Sequence, residues 1–361
     1  MRTNESGPAY RTVYEDMREK IVGGDYAHGL RLPSKRSLAA EYGVSVITVE
    51  HAYALLCDEG YAEARERSGF FVSYRQKDSF PVKGVPRPAA TAQPSGTSDF
   101  PFSVYARTVR RALADYGNLL TEKSPTGGLP QLRETIAAYL ARGRNIRVSP
   151  ENIVVGSGSE YLYTLIPQLL GRGRIFAVES PSYGQILRIY RAGGIICEEL
   201  PLGPAGIDSE TLERSRANVL HITPYRSYPT MVTASASKRH EYLRWAETRA
   251  GYLIEDDVES EFSPLHRPTE TLYSLDSTRV IYLNTFSRTV FPGLRMAYMV
   301  LPDALRSVFA ERAGFLSCPV PTLEQVVLTE LIAGGDFERN LNRERRRRKA
   351  SRAAEPKPGR G

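Results

Sequence analysis

The sequence predicts an α/β chain in two parts. A small N-terminal part is helical and carries a two-stranded wing; a larger part is a mostly parallel sheet wrapped by helices. Three observations predict this. Residues 10–75 place apolar side chains at helical spacing between short turns. From about 99 to 335, helical stretches alternate with short β-branched runs, each ending in a polar or Pro/Gly turn, the rhythm of strand–helix–strand units. Between them, residues 76–98 (QKDSFPVKGVPRPAATAQPSGTS) are rich in Pro, Gly, Ser and Thr, which reads as a linker held partly extended by its prolines.

In the small part, Tyr10 to Ile21 has helical periodicity. Pro33-Ser34 then stops an extended piece, and the Ser34 hydroxyl can N-cap a helix running through Ala40. Gly43 supplies a tight turn. Ser45 caps a second helix through Leu56, with Val49, Ala52, Tyr53 and Leu56 on one face, and Gly60 ends it. YAEARERSGFFVS follows as two short strands around Arg67-Ser68-Gly69. A helix-turn-helix followed by such a wing is a module that fits double-stranded DNA.

Composition narrows the class. The chain has 361 residues, 41% apolar and 25% charged, in the range of a globular protein with room for a large core. No apolar run approaches the ~20 residues of a membrane span and the N-terminus has no signal-peptide core, so a cytoplasmic protein without membrane contact is expected. Cys57, Cys197 and Cys318 are far apart and odd in number, which suggests neither a disulfide framework nor a CxxC site. The histidines at 28, 51, 221, 240 and 266 lack ligand spacing, and no metal is expected. The net charge of +7 is local: residues 339–361 hold ten Lys/Arg against Glu344 and Glu355, leaving −1 on the rest. DNA binding therefore has to be argued from the winged module and not from overall charge. The basic stretch itself reads as a helix end passing into a disordered tail.

In the large part, NIVVGSG, RIFAVESP, VLHITP, YLIEDD and VIYLNTFS read as strands. The first ends in Gly156-Ser157-Gly158-Ser159 and a helix continues from it; free amides at a helix start, with small residues allowing close approach, bind phosphate. VESPSYG places Tyr183 after a strand, and YLIEDDVESEF places Asp256 and Asp257 at the end of another. VIYLNTFSRTVFPGLRMAYMV gathers Ser287, Arg288 and Arg295 beyond a strand, a grip for an anion. Carboxyl ends of parallel strands are where such sheets bind ligands.

These stretches resemble known families. LPSKRSLAAEYGVSVITVEHAYALLCDEGY resembles the GntR-type winged helix. SPTGGLPQLRETIAAYL, PENIVVGSGSEYLY, VESPSYGQ, ITPYRSYPT, IEDDVESEF and TFSRTVFPGLRMAYMVLP resemble the fold-type I aminotransferases, and the order of the two looks like the MocR group of transcriptional regulators. The resemblance implies a winged helix over 10–75, a linker over 76–98, an aminotransferase-like domain over 99–338 and the basic tail over 339–361, with the family's C-terminal small domain missing. It implies a homodimer on operator DNA, with a small-molecule effector. Lys35 and Arg36 would meet phosphates; Ser45, Val46 and Thr48 would open the recognition helix; Ser68 and Gly69 would form the wing tip. The family's cofactor is pyridoxal phosphate. Ser157, Gly158, Ser159, Ser287 and Arg295 would hold its phosphate, Tyr183 would stack on the ring, and Asp256 would pair with the ring nitrogen.

The sequence departs from the family at the centre of the pocket. Where the family has lysine, in TFSK, this chain has Arg288. The lysine amine must lose a proton to attack the cofactor's aldehyde, and a guanidinium with pKa above ~12 cannot. The family's EDDY tyrosine is Val258, and Arg226 and Met231 replace residues of TPSHQYPTG. No lysine lies between Lys238 and Lys349. The expectation is a regulator with a catalytically inactive aminotransferase-like domain that holds pyridoxal phosphate non-covalently at best. Two alternatives stay open: a working aminotransferase, and a truncated non-functional remnant.

Overall fold

The computed structural model describes residues 9–66, 68–75, 100–258, 260–262 and 270–354, with side chains described through 349. The expected linker at 76–98 and wing-tip residue Arg67 lie outside the described residues. The described chain divides into two compact units, taken separately here as 9–75 and 100–354.

In the first unit, helices α1 (Ala9–Gly23), α2 (Lys35–Tyr42) and α3 (Val46–Asp58) precede strands β1 (Ala62–Arg65) and β2 (Gly69–Val72). The serine caps form as their side-chain chemistry dictates: Ser34 Oγ accepts the Ser37 amide and Ser45 Oγ the Thr48 amide, each at 3.1 Å. Gly43 ends α2 in the left-handed region at φ 63°, which a glycine adopts without steric cost. Val13, Met17 and Ile21 of α1 are buried with Leu38, Val49, Tyr53 and Leu56 in one core. β1 and β2 pair antiparallel, Arg65 opposite Gly69, and Arg31 adds a bridge to Phe71 that widens the wing.

The second unit is an eight-stranded sheet between helical layers. Its strands are β3 (Ile153–Gly156), β4 (Ile175–Ser180), β5 (Ile196–Gly203), β6 (Gly206–Ile207), β7 (Val219–Ile222), β8 (Tyr252–Asp256), β9 (Val280–Thr285) and β10 (Ala297–Val300), in the order β3-β10-β9-β8-β7-β4-β5-β6. From β9 to β5 all neighbours are parallel; β10 runs antiparallel to both β3 and β9, and β6 antiparallel to β5. The helices are α4 (Phe102–Asp115), α5 (Gly117–Leu120), α6 (Pro130–Arg144), α7 (Ser159–Leu170), α8 (Gly184–Ala192), α9 (Ser209–Arg214), α10 (Ala236–Thr248), α11 (Leu272–Leu275), α12 (Ala304–Ala313), α13 (Thr322–Ala333) and α14 (Asp336–Ala354). One face of the sheet packs Ile254, Leu283 and Met299 against Leu162, Ile166 and Tyr190; the other packs Leu253, Tyr282 and Tyr298 against Leu132, Ile136 and Leu331. The alternation follows from the two-residue strand period, and both faces are apolar because both are covered.

The helix end expected in the basic stretch extends through 354 as α14, and 355–361, the rest of the expected tail, lie outside the described residues. Phe337 and Leu341 are buried in the main core, the Asn340 amide donates to the Thr289 carbonyl at 3.0 Å, and the Arg345 guanidinium donates to the Glu261 carbonyl at 2.5 Å. Arg348 stacks 3.7 Å from the Phe262 ring centroid. A few apolar residues are enough to dock this helix, and Arg348 lies over the Phe262 ring.

Candidate functional site

The first unit presents the N-terminal turn of α3. Val46 and Ile47 are exposed there, 42% and 68%, although apolar. Ser45 and Thr48 hold each other, hydroxyl to hydroxyl at 2.8 Å, and so fix the helix entry. Arg36 is exposed at the start of α2. Lys35 is half-buried and its ammonium lies 2.6 Å from Glu50, whose carboxyl the lysine holds below its usual range. Ser68 is exposed in the turn and its amide donates to the Arg65 carbonyl at 3.0 Å. Gly69 has φ 108°, and a Cβ there would come within 3.1 Å of Arg31 Nε, so Arg31 lies along the wing. Sequence reasoning passed over Ile47 and Arg31; exposure marks the first and the bridge to Phe71 the second.

The second unit gathers its site residues at the carboxyl ends of β3, β8 and β9. Because β10 folds back between β3 and β9, Ala297 pairs with both Gly156 and Thr285, and Arg295 is delivered to the start of α7. There Gly158 caps α7 at φ 95°, and a Cβ on it would stand 2.7 Å from Arg295 Nη2. The glycine is required twice over, by its backbone angle and by the close approach of the guanidinium. Ser157 and Ser159 flank it. Ser287 follows β9; its hydroxyl is buried and has no hydrogen-bond partner among the described residues. Arg288 is exposed on the same turn. Tyr183 precedes α8, 43% exposed, and donates to Glu160 Oε1 at 3.3 Å. Burial and then the Glu160 charge push its phenol up, while the charges of Arg295 and Arg288 pull against them.

Asp256 ends β8 and is 2% exposed. One carboxylate oxygen, Oδ2, accepts from the Tyr163 hydroxyl and lies 3.5 Å from His221 Nε2; His221 Nδ1 in turn sits 2.7 Å from the Tyr190 hydroxyl. Burial, followed by the Asp256 charge, raises the Tyr163 phenol well above its ordinary value. The other oxygen, Oδ1, is buried with no partner among the described residues. An unpaired buried carboxylate oxygen costs free energy unless a ligand or water supplies a donor. Asp257 belongs to the opposite side of the sheet, held by Arg144 and by the Tyr282 hydroxyl at 2.6 Å. Tyr163, His221 and Tyr190 were not legible as site residues, because α7, β7 and α8 meet Asp256 only in the folded sheet.

The donor set fits pyridoxal phosphate at both ends. Amides and a glycine cradle stand at the N-terminus of α7 with Arg295, and two unpartnered buried oxygens, the Ser287 hydroxyl and Asp256 Oδ1, lie beyond the ends of β9 and β8. Among the described residues there is no group of three or more His, Cys, Asp or Glu able to hold a metal ion, and no helix long and apolar enough to cross a membrane.

A winged helix-turn-helix joined to a sheet of this order, with this pocket, defines the class of DNA-binding regulators that carry an aminotransferase-like domain. Residues 9–72 match the bacterial regulatory proteins of the gntR family, and residues 94–355 match aminotransferase class I and II. The second match runs through α14, which is therefore part of the domain. An uncharacterized HTH-type transcriptional regulator of Bacillus subtilis, YdeL, is 30% identical over 96% of this chain and 78% of its own. The HTH-type pyridoxine biosynthesis transcriptional regulator PdxR of Corynebacterium glutamicum is 31% identical over 92% and 74%. An archaeal alanine:glyoxylate aminotransferase superposes with a TM-score of 0.61 at 25% identity, covering 67% of this chain. The chain spans 62% of that enzyme's length. The chain belongs to the GntR-family transcriptional regulators with a class I and II aminotransferase domain, the MocR type.

Proposed function

We propose that this regulator reads operator DNA through α3 and the wing, and that its large domain is a receptor for a phosphorylated pyridoxal-type ligand, held without a covalent bond. What supports the reading is Arg288 on the turn after β9, beside Ser287; by the resemblance of TFSR to the family's TFSK it takes the position of the lysine. A guanidinium keeps its charge and offers no lone pair for bond formation.

In this reading the α7 amides of Ser157, Gly158 and Ser159, the Ser287 hydroxyl and Arg295 bind the phosphate; Tyr183 lies against the ring; Asp256 Oδ1 receives the ring N–H. Asp256 is oriented by Tyr163, whose hydroxyl donates to its other oxygen. When bound, pyridoxal phosphate supplies an aldehyde and an electron-accepting ring; Arg288 can pair with an anionic group of the ligand but cannot bond the aldehyde. Lys238, the nearest preceding lysine in sequence, is engaged on α10 by Glu241 at 2.8 Å and Ser209 at 2.5 Å. Arg36 and Ser68 meet DNA phosphates, and Val46 offers an apolar surface to a thymine methyl in the major groove. A homodimer would present two such units to two half-sites.

The test is a titration of the full chain with pyridoxal phosphate, followed by borohydride. Wild type is expected to bind with no trapped bond; Arg288→Lys is expected to develop a new absorption band and a reducible bond at residue 288. A covalent adduct on wild type, or no binding by either protein, overturns the reading.

A further inference from the structure

The anion grip already contains an anion. Glu160 is the second residue of α7, within the first turn of a twelve-residue helix whose N-terminal amides favour negative charge. Its carboxylate lies 3.0 Å from Arg295 Nη2 through one oxygen and accepts from the Tyr183 hydroxyl at 3.3 Å through the other. Those are two groups that the pocket offers to a ligand. The Ser287 hydroxyl and Asp256 Oδ1 are buried and unpartnered among the described residues, so the protein's own carboxylate engages Arg295 and Tyr183 and leaves those two groups open. Glu160 and Arg295 side chains are 44% and 54% exposed, so the pair is screened by solvent and separable.

We propose that Glu160 is a built-in competitor for the ligand's anionic group and thereby sets the affinity and selectivity of this pocket. A ligand that brings a phosphate to Arg295 must displace the Glu160 carboxylate from Arg295 and Tyr183, and the carboxylate then stays nearby as a like charge. Both effects hold the affinity for phosphorylated ligands below what the other groups of the pocket would give, and neither acts on an otherwise identical ligand without phosphate. Displacement also frees the Tyr183 ring to close over what has entered. This inference rests on the reading of the pocket as a receptor for phosphorylated ligands.

The test uses the full chain and three probes: pyridoxal phosphate, inorganic phosphate and pyridoxal. Binding is measured by equilibrium dialysis or calorimetry for wild type, Glu160→Gln and Glu160→Ala, each checked by its thermal melt. Removing the charge is expected to tighten pyridoxal phosphate and phosphate by about five- to tenfold, the scale of a half-exposed ion pair plus one like-charge contact, and to leave pyridoxal unchanged. Equal or weaker binding of pyridoxal phosphate by both variants overturns the proposal while the receptor reading stands, because wild type still binds. A matching gain for pyridoxal also overturns it, since charge would not be the cause. Failure of every protein to bind either phosphorylated probe overturns the receptor reading and the proposal together.

Discussion

In the reading proposed above, Arg288 brings charge recognition to the turn after β9 and no bond-forming amine, since a guanidinium keeps its charge. Its neighbours agree: Tyr183 feels both Arg288 and Arg295, and Ser287 keeps an unshared hydroxyl. Met231 carries a stability cost. It stands at φ 60° in a turn where its amide donates to the Ser227 carbonyl at 2.6 Å. The left-handed region costs an ordinary residue ~1–2 kcal/mol, and glycine recovers that less its own unfolded-state entropy. Met231→Gly is therefore expected to stabilise the large unit by about 0.5–1 kcal/mol, read as a rise of a degree or two in its thermal midpoint.

At the scale of elements, α3 and α14 each depend on a few contacts. Ser45 caps α3 through the Thr48 amide, so Ser45→Ala should cost about 1 kcal/mol in the winged unit. Ser45→Asp retains a capping oxygen and adds a negative charge to the DNA-facing turn. Its melt should match wild type while operator affinity in a mobility-shift titration falls at least tenfold; unchanged affinity would remove this turn from the interface. In α14, Leu341 is 3% exposed in the main core. Leu341→Ala should cost ~2–5 kcal/mol by the loss of buried volume. A loss below 1 kcal/mol in chemical denaturation would mean that α14 is held by its arginines and not by its apolar residues.

For the molecule as a whole, buried acids should make stability depend on pH. Burial pushes the Glu255 carboxyl up to about 8, helped by Asp257, and burial pushes Glu179 up to about 7. In an unfolded chain both would titrate near 4.5. The folded protein thus binds more protons between those values, and the stability these groups contribute falls as pH rises from about 4.5 through 8. The large unit should melt at a higher temperature at pH 6 than at pH 8.5, and Glu255→Gln should flatten the difference. Operator affinity is a separate matter of charge: it should fall steeply with salt, and Arg36→Ala should lower the slope of log affinity against log salt by about 1, uniformly across sequences.

Much of this was legible in the chain itself. The strands at 153, 175, 219, 252 and 280, the two serine caps and the turn at Gly43 follow from local rules, because strand runs, capping hydroxyls and left-handed glycines act over a few residues. Strand β5 was not legible, since its exposed and charged residues sit near one edge of the sheet, where half-burial leaves a weak pattern. Of α14 only a helix end was legible, because its apolar residues are too few to stand out from the eight basic ones of the same helix without the surface they dock on. The contacts of Asp256 with Tyr163 and His221, and of Arg295 with Gly158 and Glu160, join residues up to 137 positions apart. Only the antiparallel return of β10 and the order of the sheet bring them together, and no local pattern encodes that. The residues determined which groups could carry charge or donate hydrogen bonds; the folded sheet decided which of them face one another.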